Sequence, residues 1–139
     1  MKISIFLLGV LFCFAATTFA TNIPEIPTSL KGYTNFPPEK VKNTPALLNG
    51  FIALTPTFII RAINERKIAP SSYSVIMRYA FRKDTTDGYE VVYYFRARDP
   101  AKNSTGKVYY GTFTAFIPTR TGVSRKLLSY AIDKALPRT

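Results

Sequence analysis

Residues 81–98, FRKDTTDGYEVVYYFRAR, hold many of the side chains in this protein that could do chemistry. Asp84 and Asp87 lie three residues apart, and paired carboxylates are the acid and base of glycosidases. Here they flank Thr85-Thr86 and precede Gly88, a composition typical of a solvated turn rather than of a catalytic cleft. The arginines on both sides of this turn are the second candidate functional group, because guanidinium groups favour the binding of anions.

Residue types that many enzymes need are missing from the sequence. There is no histidine, and the single cysteine is Cys13. A Ser-His-Asp triad, a Cys-His pair and an ordinary zinc site are therefore excluded, and no glycine-rich phosphate loop is present. We expect a protein that is not an enzyme and that uses no metal, cofactor or small-molecule substrate.

Residues 1–20, MKISIFLLGVLFCFAATTFA, have the layout of a secretory signal peptide. Lys2 precedes an apolar run over residues 3–16, and Thr18-Phe19-Ala20 resembles a cleavage site. The run is shorter than the ~20 residues of a membrane-spanning helix. We therefore expect a protein that is secreted, or periplasmic if the source is bacterial. It would be free of disulfides, because cleavage removes Cys13.

The chain carries a strong positive charge. It has 19 Lys or Arg against 8 Asp or Glu, a formal net charge of +11, which the loss of Lys2 lowers to +10. This balance favours anionic partners such as acidic polysaccharide, anionic lipid, nucleic acid or an acidic protein. The 139 residues less the 20 of the signal peptide leave 119, which is enough for one domain with its own core.

Three segments of alternating residues predict one antiparallel sheet, with strands at residues 73–83, 89–98 and 107–117. In the first strand the apolar stripe holds Tyr73, Val75, Met77, Tyr79 and Phe81. The loop KDTTDG joins the first two strands, with Gly88 suited to a positive φ. The loop DPAKNSTG joins the next two, and Asn103 begins a glycosylation sequon there.

Apolar residues at helical spacing predict a helix on each side of these strands. Thr44-Pro45 begins the first helix, and Pro56 either kinks it or splits it in two. Residues 124–136 are predicted to form an amphipathic C-terminal helix. The expected fold is α+β: a three- to four-stranded antiparallel sheet covered on one face by the N-terminal helix, plus the C-terminal helix. A proline-rich arm, residues 21–44, precedes this single domain, residues 45–139.

The order of these elements resembles the cystatin-like fold over residues 30–122. Gly32 stands where cystatins have an N-terminal glycine, and IIRAINERK looks like the end of the cystatin helix. Gly88 lies where cystatins carry Q-x-V-x-G, and AFIPTRTG resembles the strand that enters their Pro-Trp loop. The resemblance implies an inhibitor of papain-like cysteine proteases. Its protease-binding residues would be Gly32, Asp84, Thr85, Thr86, Asp87, Gly88, Pro118 and Thr119.

An alternative interpretation uses the positive charge instead of the hairpin tip. The alternation predicts four arginines on the face opposite the apolar stripe, namely Arg78, Arg82, Arg96 and Arg98. With Tyr94 and Tyr110 nearby, they would bind an anionic polymer, a membrane surface or an acidic protein. A solvated sheet face also needs polar residues for solubility alone. The sequence therefore leaves open protease inhibition, anion binding, and an ordinary basic surface.

Overall fold

The computed structural model describes residues 22–101 and 106–137, which form an α+β fold. In chain order its elements are β1 (Thr34–Phe36), α1 (Pro38–Lys42), α2 (Pro45–Asn64), β2 (Ser74–Asp84), β3 (Gly88–Arg98), β4 (Lys107–Pro118) and β5 (Lys126–Pro137). The strands form one antiparallel sheet in the order β1-β2-β3-β4-β5. The expected signal peptide with Cys13, and the sequon at Asn103, lie outside the described residues.

Helix α2 packs on one face of the sheet, and the core lies between them. The ring centroid of Phe58 is 4.6 Å from that of Phe95 and 4.8 Å from that of Phe113. Tyr93 donates a buried hydrogen bond of 2.7 Å to the carbonyl oxygen of Leu47, and burial raises the pKa of Tyr93. Close aromatic pairs and a satisfied hydroxyl hold the helix at one position on the sheet.

The prediction that a helix begins at Thr44-Pro45 is confirmed, and α2 continues through Pro56 as one helix. The Thr44 hydroxyl donates to the carbonyl oxygen of Lys40, at 2.9 Å, rather than capping α2. Pro56 lies on the exposed side of α2, where water can hydrate the carbonyl of Ile52 that proline leaves without its helical donor. By length and composition alone α2 could cross a membrane, a test that a core helix also passes.

The C-terminal segment is strand β5, so the prediction of a helix over residues 124–136 is wrong. Two register shifts against β4 leave Leu128 and Asp133 as extra residues. Each extra residue turns a spacing of two into a spacing of three, which imitates helical periodicity. The residues that share the α2 side are Leu127, Tyr130, Ile132 and Ala135. β5 also satisfies the edge of β4, and with β1 it makes the sheet five-stranded.

A β-bulge in β2 reverses which side chains of that strand face α2. The register passes from Met77 opposite Phe95 to Tyr79 opposite Tyr94, which leaves Arg78 as the extra residue. A bulge of this kind places two successive side chains on the same side of the sheet. The simple alternation assumed from the sequence therefore holds before Arg78 and fails after it.

The reversal changes the predicted apolar stripe of β2. Beyond the bulge, Ala80 and Arg82 lie opposite Tyr93 and Val91 and face α2, whereas Phe81 faces the other side. Phe81 is nevertheless fully buried, because two tyrosine rings on the same side of the sheet enclose it. The centroid of its ring lies 5.1 Å from that of Tyr79 and 5.7 Å from that of Tyr94. The prediction that Tyr79 and Phe81 belong to the stripe under α2 is wrong, and the sheet has a small aromatic cluster on its second face.

Candidate functional site

The outer face of the sheet, defined as the side turned away from α2, carries a group of neighbouring cations. One row of register partners crosses it from β2 to β5: Ile76, Arg96, Tyr110 and Lys134. Directly opposite side chains on antiparallel neighbours project to the same face about 5 Å apart. Arg78 joins the row from the bulge, because its guanidinium carbon lies 5.1 Å from the centroid of the Tyr110 ring.

We call Arg78, Arg96 and Lys134 the basic row. Among residues 22–101 and 106–137, none of the three forms an ion pair with a carboxylate. Asp133, next to Lys134 in the chain, has its pKa raised by burial. Burial also raises the pKa of Tyr94, and the negative charge of Asp133 adds to that shift. The three cations lie on β2, β3 and β5 and outnumber the carboxylate of Asp133, so they create a positive potential that attracts an anion.

Arg82 is not part of this group, so the predicted cluster of four arginines is wrong in that member. It lies on the α2 side of the sheet, as the register partner of Val91. There its guanidinium carbon is 4.6 Å from the Phe36 ring centroid and 4.4 Å from the Tyr89 ring centroid. Its Nε lies 3.3 Å from the Asp84 carboxylate. These neighbours engage the guanidinium on the opposite side from the basic row.

Arg98 and Lys134 differ in whether the sequence predicts them as cations of the outer face. Arg98 is exposed at the end of β3, opposite Ser74, on the face that the sequence predicts. Lys134 was not predicted, because residues 124–136 were assigned to a helix. The local signal that could have found it is the short alternation Ser129-Tyr130-Ala131-Ile132 between the two bulges of β5.

The N-terminal arm lies on the outer face beside the basic row. Arg78 Nη2 donates to the carbonyl oxygen of Pro24 at 2.7 Å. The Asn35 side-chain amide donates to the carbonyl oxygen of Thr28 at 2.8 Å and to the Tyr79 hydroxyl at 3.2 Å. Sequence reasoning missed these contacts, because a proline-rich segment has no periodic pattern that would assign it to a face.

Residues that the cystatin resemblance selects meet at one end of the sheet. Gly88 is the register partner of Pro118. The N–H and the hydroxyl of Thr119 both donate to the carbonyl oxygen of Asp87, at 3.0 and 3.2 Å. Arg120 adds an ion pair of 3.0 Å with the Asp87 carboxylate. The β2–β3 and β4–β5 loops are therefore joined into one rigid tip.

Gly32 reaches the same end from the N-terminal side, in the turn before β1. Its φ is +87°, and a Cβ built on it would lie 3.9 Å from the Lys83 side chain, an ordinary contact. The backbone conformation, not the packing, requires glycine there. The hairpin beside it is closed by Thr85, whose N–H and hydroxyl both donate to the carbonyl oxygen of Gly88, at 2.8 and 2.9 Å.

Gly88 has a structural role that differs from the predicted one. The positive-φ glycines of the described residues are Gly32 and Gly122, so the expected positive φ at Gly88 is wrong. A Cβ on Gly88 would lie 2.2 Å from the carbonyl oxygen of Ile117, so the close approach of β3 and β4 requires glycine. The side chains of the tip, from Asp84 to Asp87 and at Thr119, are polar. These side chains therefore offer no apolar anchor of the kind typical of tight protein interfaces; the exposed apolar side chain of the β4–β5 loop is Val123.

The two hairpin aspartates that could act as a carboxylate pair are each bound by an arginine. Asp84 pairs with Arg82, and Asp87 pairs with Arg120. No group of three or more His, Cys, Asp or Glu is placed to hold a metal ion within the described ranges. Comparisons with protein-family models, with curated proteins and with solved structures gave no match. The outer face and the tip are the two places where the predicted site residues come together.

Proposed function

We propose that this protein is a secreted, non-enzymatic module that binds an anionic partner through the outer face of its sheet. The observation that carries the proposal is the basic row, in which Arg78, Arg96 and Lys134 adjoin Tyr110. None of these three cations has a carboxylate partner among the described residues. The net charge of the whole chain attracts anions, and the basic row offers them a defined place to bind.

The members of the basic row suit anions that carry several oxygens. Arginine presents a planar fork that matches carboxylate, sulfate and phosphate groups, whereas lysine acts as a compact point charge. Arg78 is already held by the Pro24 carbonyl and lies over the Tyr110 ring. A side chain positioned before binding loses less rotamer entropy when the anion arrives.

Heparin chromatography tests the proposal with two double variants of equal charge. Arg96→Gln with Lys134→Gln removes two charges from the outer face. Lys42→Gln with Lys67→Gln removes two from exposed positions near the ends of α1 and α2. We expect about a tenfold loss of affinity for the first pair and little loss for the second, since an exposed charge contact contributes up to about 1 kcal/mol.

The wild-type protein should elute from heparin at a salt concentration well above that of the first variant, because salt screens exposed charges. Coincident elution of the two double variants would show that binding depends on net charge and not on the basic row. Circular dichroism of both variants verifies that the fold is intact.

A second candidate function is inhibition of a papain-like cysteine protease by the tip. It is supported by the contacts between Asp87 and Thr119 and by the position of Gly32 near the same end. It is also supported by the element order, in which the short α1 and the long α2 lie between β1 and a meander of four strands. A rigid tip loses little conformational entropy when it enters a cleft.

A papain assay with the processed protein tests this candidate, and Thr86→Arg is the informative variant. Thr86 is exposed at the tip, and an arginine buried without a partner in a protease cleft should weaken inhibition by more than about 100-fold. Ser72→Arg, at an exposed position two residues before β2 and so at the opposite end of the sheet, is the matched control. Absence of inhibition by the wild-type protein at micromolar concentration would eliminate the candidate.

A further inference from the structure

We infer that the anionic partner is the surface of a lipid bilayer, to which the basic row binds while neighbouring isoleucines enter the headgroup region. The inference rests on the proposed function and adds the chemical nature of the partner. Its basis is the pattern of exposed aliphatic side chains around the cations. A purely polar polyanion would gain nothing from those side chains, whereas a bilayer would bury them.

Two exposed isoleucines lie near the β2 end of the basic row. Ile76 is 53 % exposed and is the register partner of Arg96 on the outer face. Ile23 is 47 % exposed and precedes Pro24, whose carbonyl oxygen accepts a hydrogen bond from Arg78. Cations beside exposed aliphatic groups provide the two forces that hold peripheral proteins on anionic bilayers, electrostatic attraction and burial of apolar area.

The aromatic ring that adjoins all three members of the basic row, Tyr110, argues against single-stranded nucleic acid. Proteins that bind single strands stack bases on the open faces of aromatic rings. Tyr110 is only 6 % exposed, and the guanidinium of Arg78 lies over its ring. The ring therefore supports the cation above it and does not offer a stacking platform.

The other exposed isoleucines lie on α2, on the opposite side of the sheet. Ile52 is 60 % exposed and Ile60 is 59 % exposed. Residues 45–60 contain no Lys, Arg, Asp or Glu, and Arg61 is the one charged residue of α2, so this surface attracts anionic headgroups less than the basic row does. This surface cannot contact the same flat bilayer as the basic row. Ile60 is therefore a control position for Ile76, matched in residue type and in exposure.

Vesicle co-sedimentation of the processed protein, beginning at Thr21, tests the inference. Vesicles of phosphatidylcholine alone are compared with vesicles that also contain phosphatidylglycerol. We expect binding to the anionic vesicles only, weakened about tenfold by Ile76→Ser because an aliphatic side chain is no longer buried. Ile60→Ser should leave vesicle binding unchanged. Both variants should be retained on heparin like the wild-type protein, because the polysaccharide does not bury isoleucine.

The possible outcomes separate this inference from the proposed function. Retention on heparin without binding to anionic vesicles would overturn the lipid assignment and leave the anion-binding function standing. A loss of vesicle binding in Ile60→Ser but not in Ile76→Ser would overturn it in favour of the α2 surface. Tighter binding to a single-stranded oligonucleotide than to vesicles at the same salt concentration would also overturn it. Failure to bind heparin and vesicles alike would overturn the proposed function itself.

Discussion

At the residue scale, the neighbours of a side chain determine its role more than its type does. Arg78 and Arg82 are of the same residue type and lie four positions apart in β2. Arg78 faces outward over Tyr110, whereas Arg82 lies between the rings of Phe36 and Tyr89 on the α2 side. Only the first can take part in binding on the outer face.

Gly88 makes the same point, and its substitution is a test of stability. Gly88→Ala should lower the free energy of unfolding by about 1–3 kcal/mol, the usual cost of overpacking. The reason is that the new Cβ would lie 2.2 Å from the backbone oxygen of Ile117, which cannot move without disturbing the pairing of β3 with β4. Urea denaturation measures the effect, with Thr86→Ala in the same hairpin as a control that should change stability by less than about 0.5 kcal/mol. Equal stability of the two variants would contradict the assigned role.

At the element scale, the bulge in β2 decides which face its second half presents. Met77 opposite Phe95 is followed directly by Tyr79 opposite Tyr94. Arg78 is therefore an insertion into an otherwise regular alternation. β5 contains two such insertions, at Leu128 and Asp133, and they explain why a strand resembles a helix in sequence.

Deletion of Arg78 should therefore preserve the fold, although it removes a residue from the middle of a strand. All register pairs of β2 and β3 can persist, and we expect a cooperative thermal transition with a loss of about 1–3 kcal/mol. Deletion of Val92, a regular position of β3, should abolish the transition, because it moves the following core residues to the wrong face. Circular dichroism during heating compares the two proteins. An unfolded Arg78 deletion would mean that the bulge itself is needed for folding.

At the scale of the whole molecule, the two sides of the sheet present different surfaces, although both expose isoleucines. The exposed side of α2 is uncharged over residues 45–60, and the outer face holds the basic row. The sequence has no histidine, so no side chain with an ordinary pKa between about 5 and 8 changes this distribution near neutral pH. Binding by the outer face should accordingly respond to ionic strength more than to pH. The heparin and vesicle experiments use charge-matched and exposure-matched variants, because net charge acts on the whole molecule whereas the basic row acts at one place.

The sequence by itself determined the α+β class, the three central strands to within one residue at each end, and the first residue of α2. Alternation, helical spacing and a Thr-Pro start are local properties, so they can be read without knowing what packs against them. Three of the four predicted arginines, Arg78, Arg96 and Arg98, lie on the expected face for the same reason. The identity of Lys134 as their neighbour did not follow, because its segment has an ambiguous period.

Only the tertiary structure decided where alternation breaks and what covers each face. Bulges exist in relation to a partner strand, so the reversal after Arg78 and the two insertions in β5 become apparent only when β3 and β4 supply the register. The placement of the N-terminal arm depends in the same way on Arg78 and Asn35. Local sequence sets the propensity of each segment, but pairing between segments distant in the chain sets which side chains meet, and the basic row is a product of that pairing.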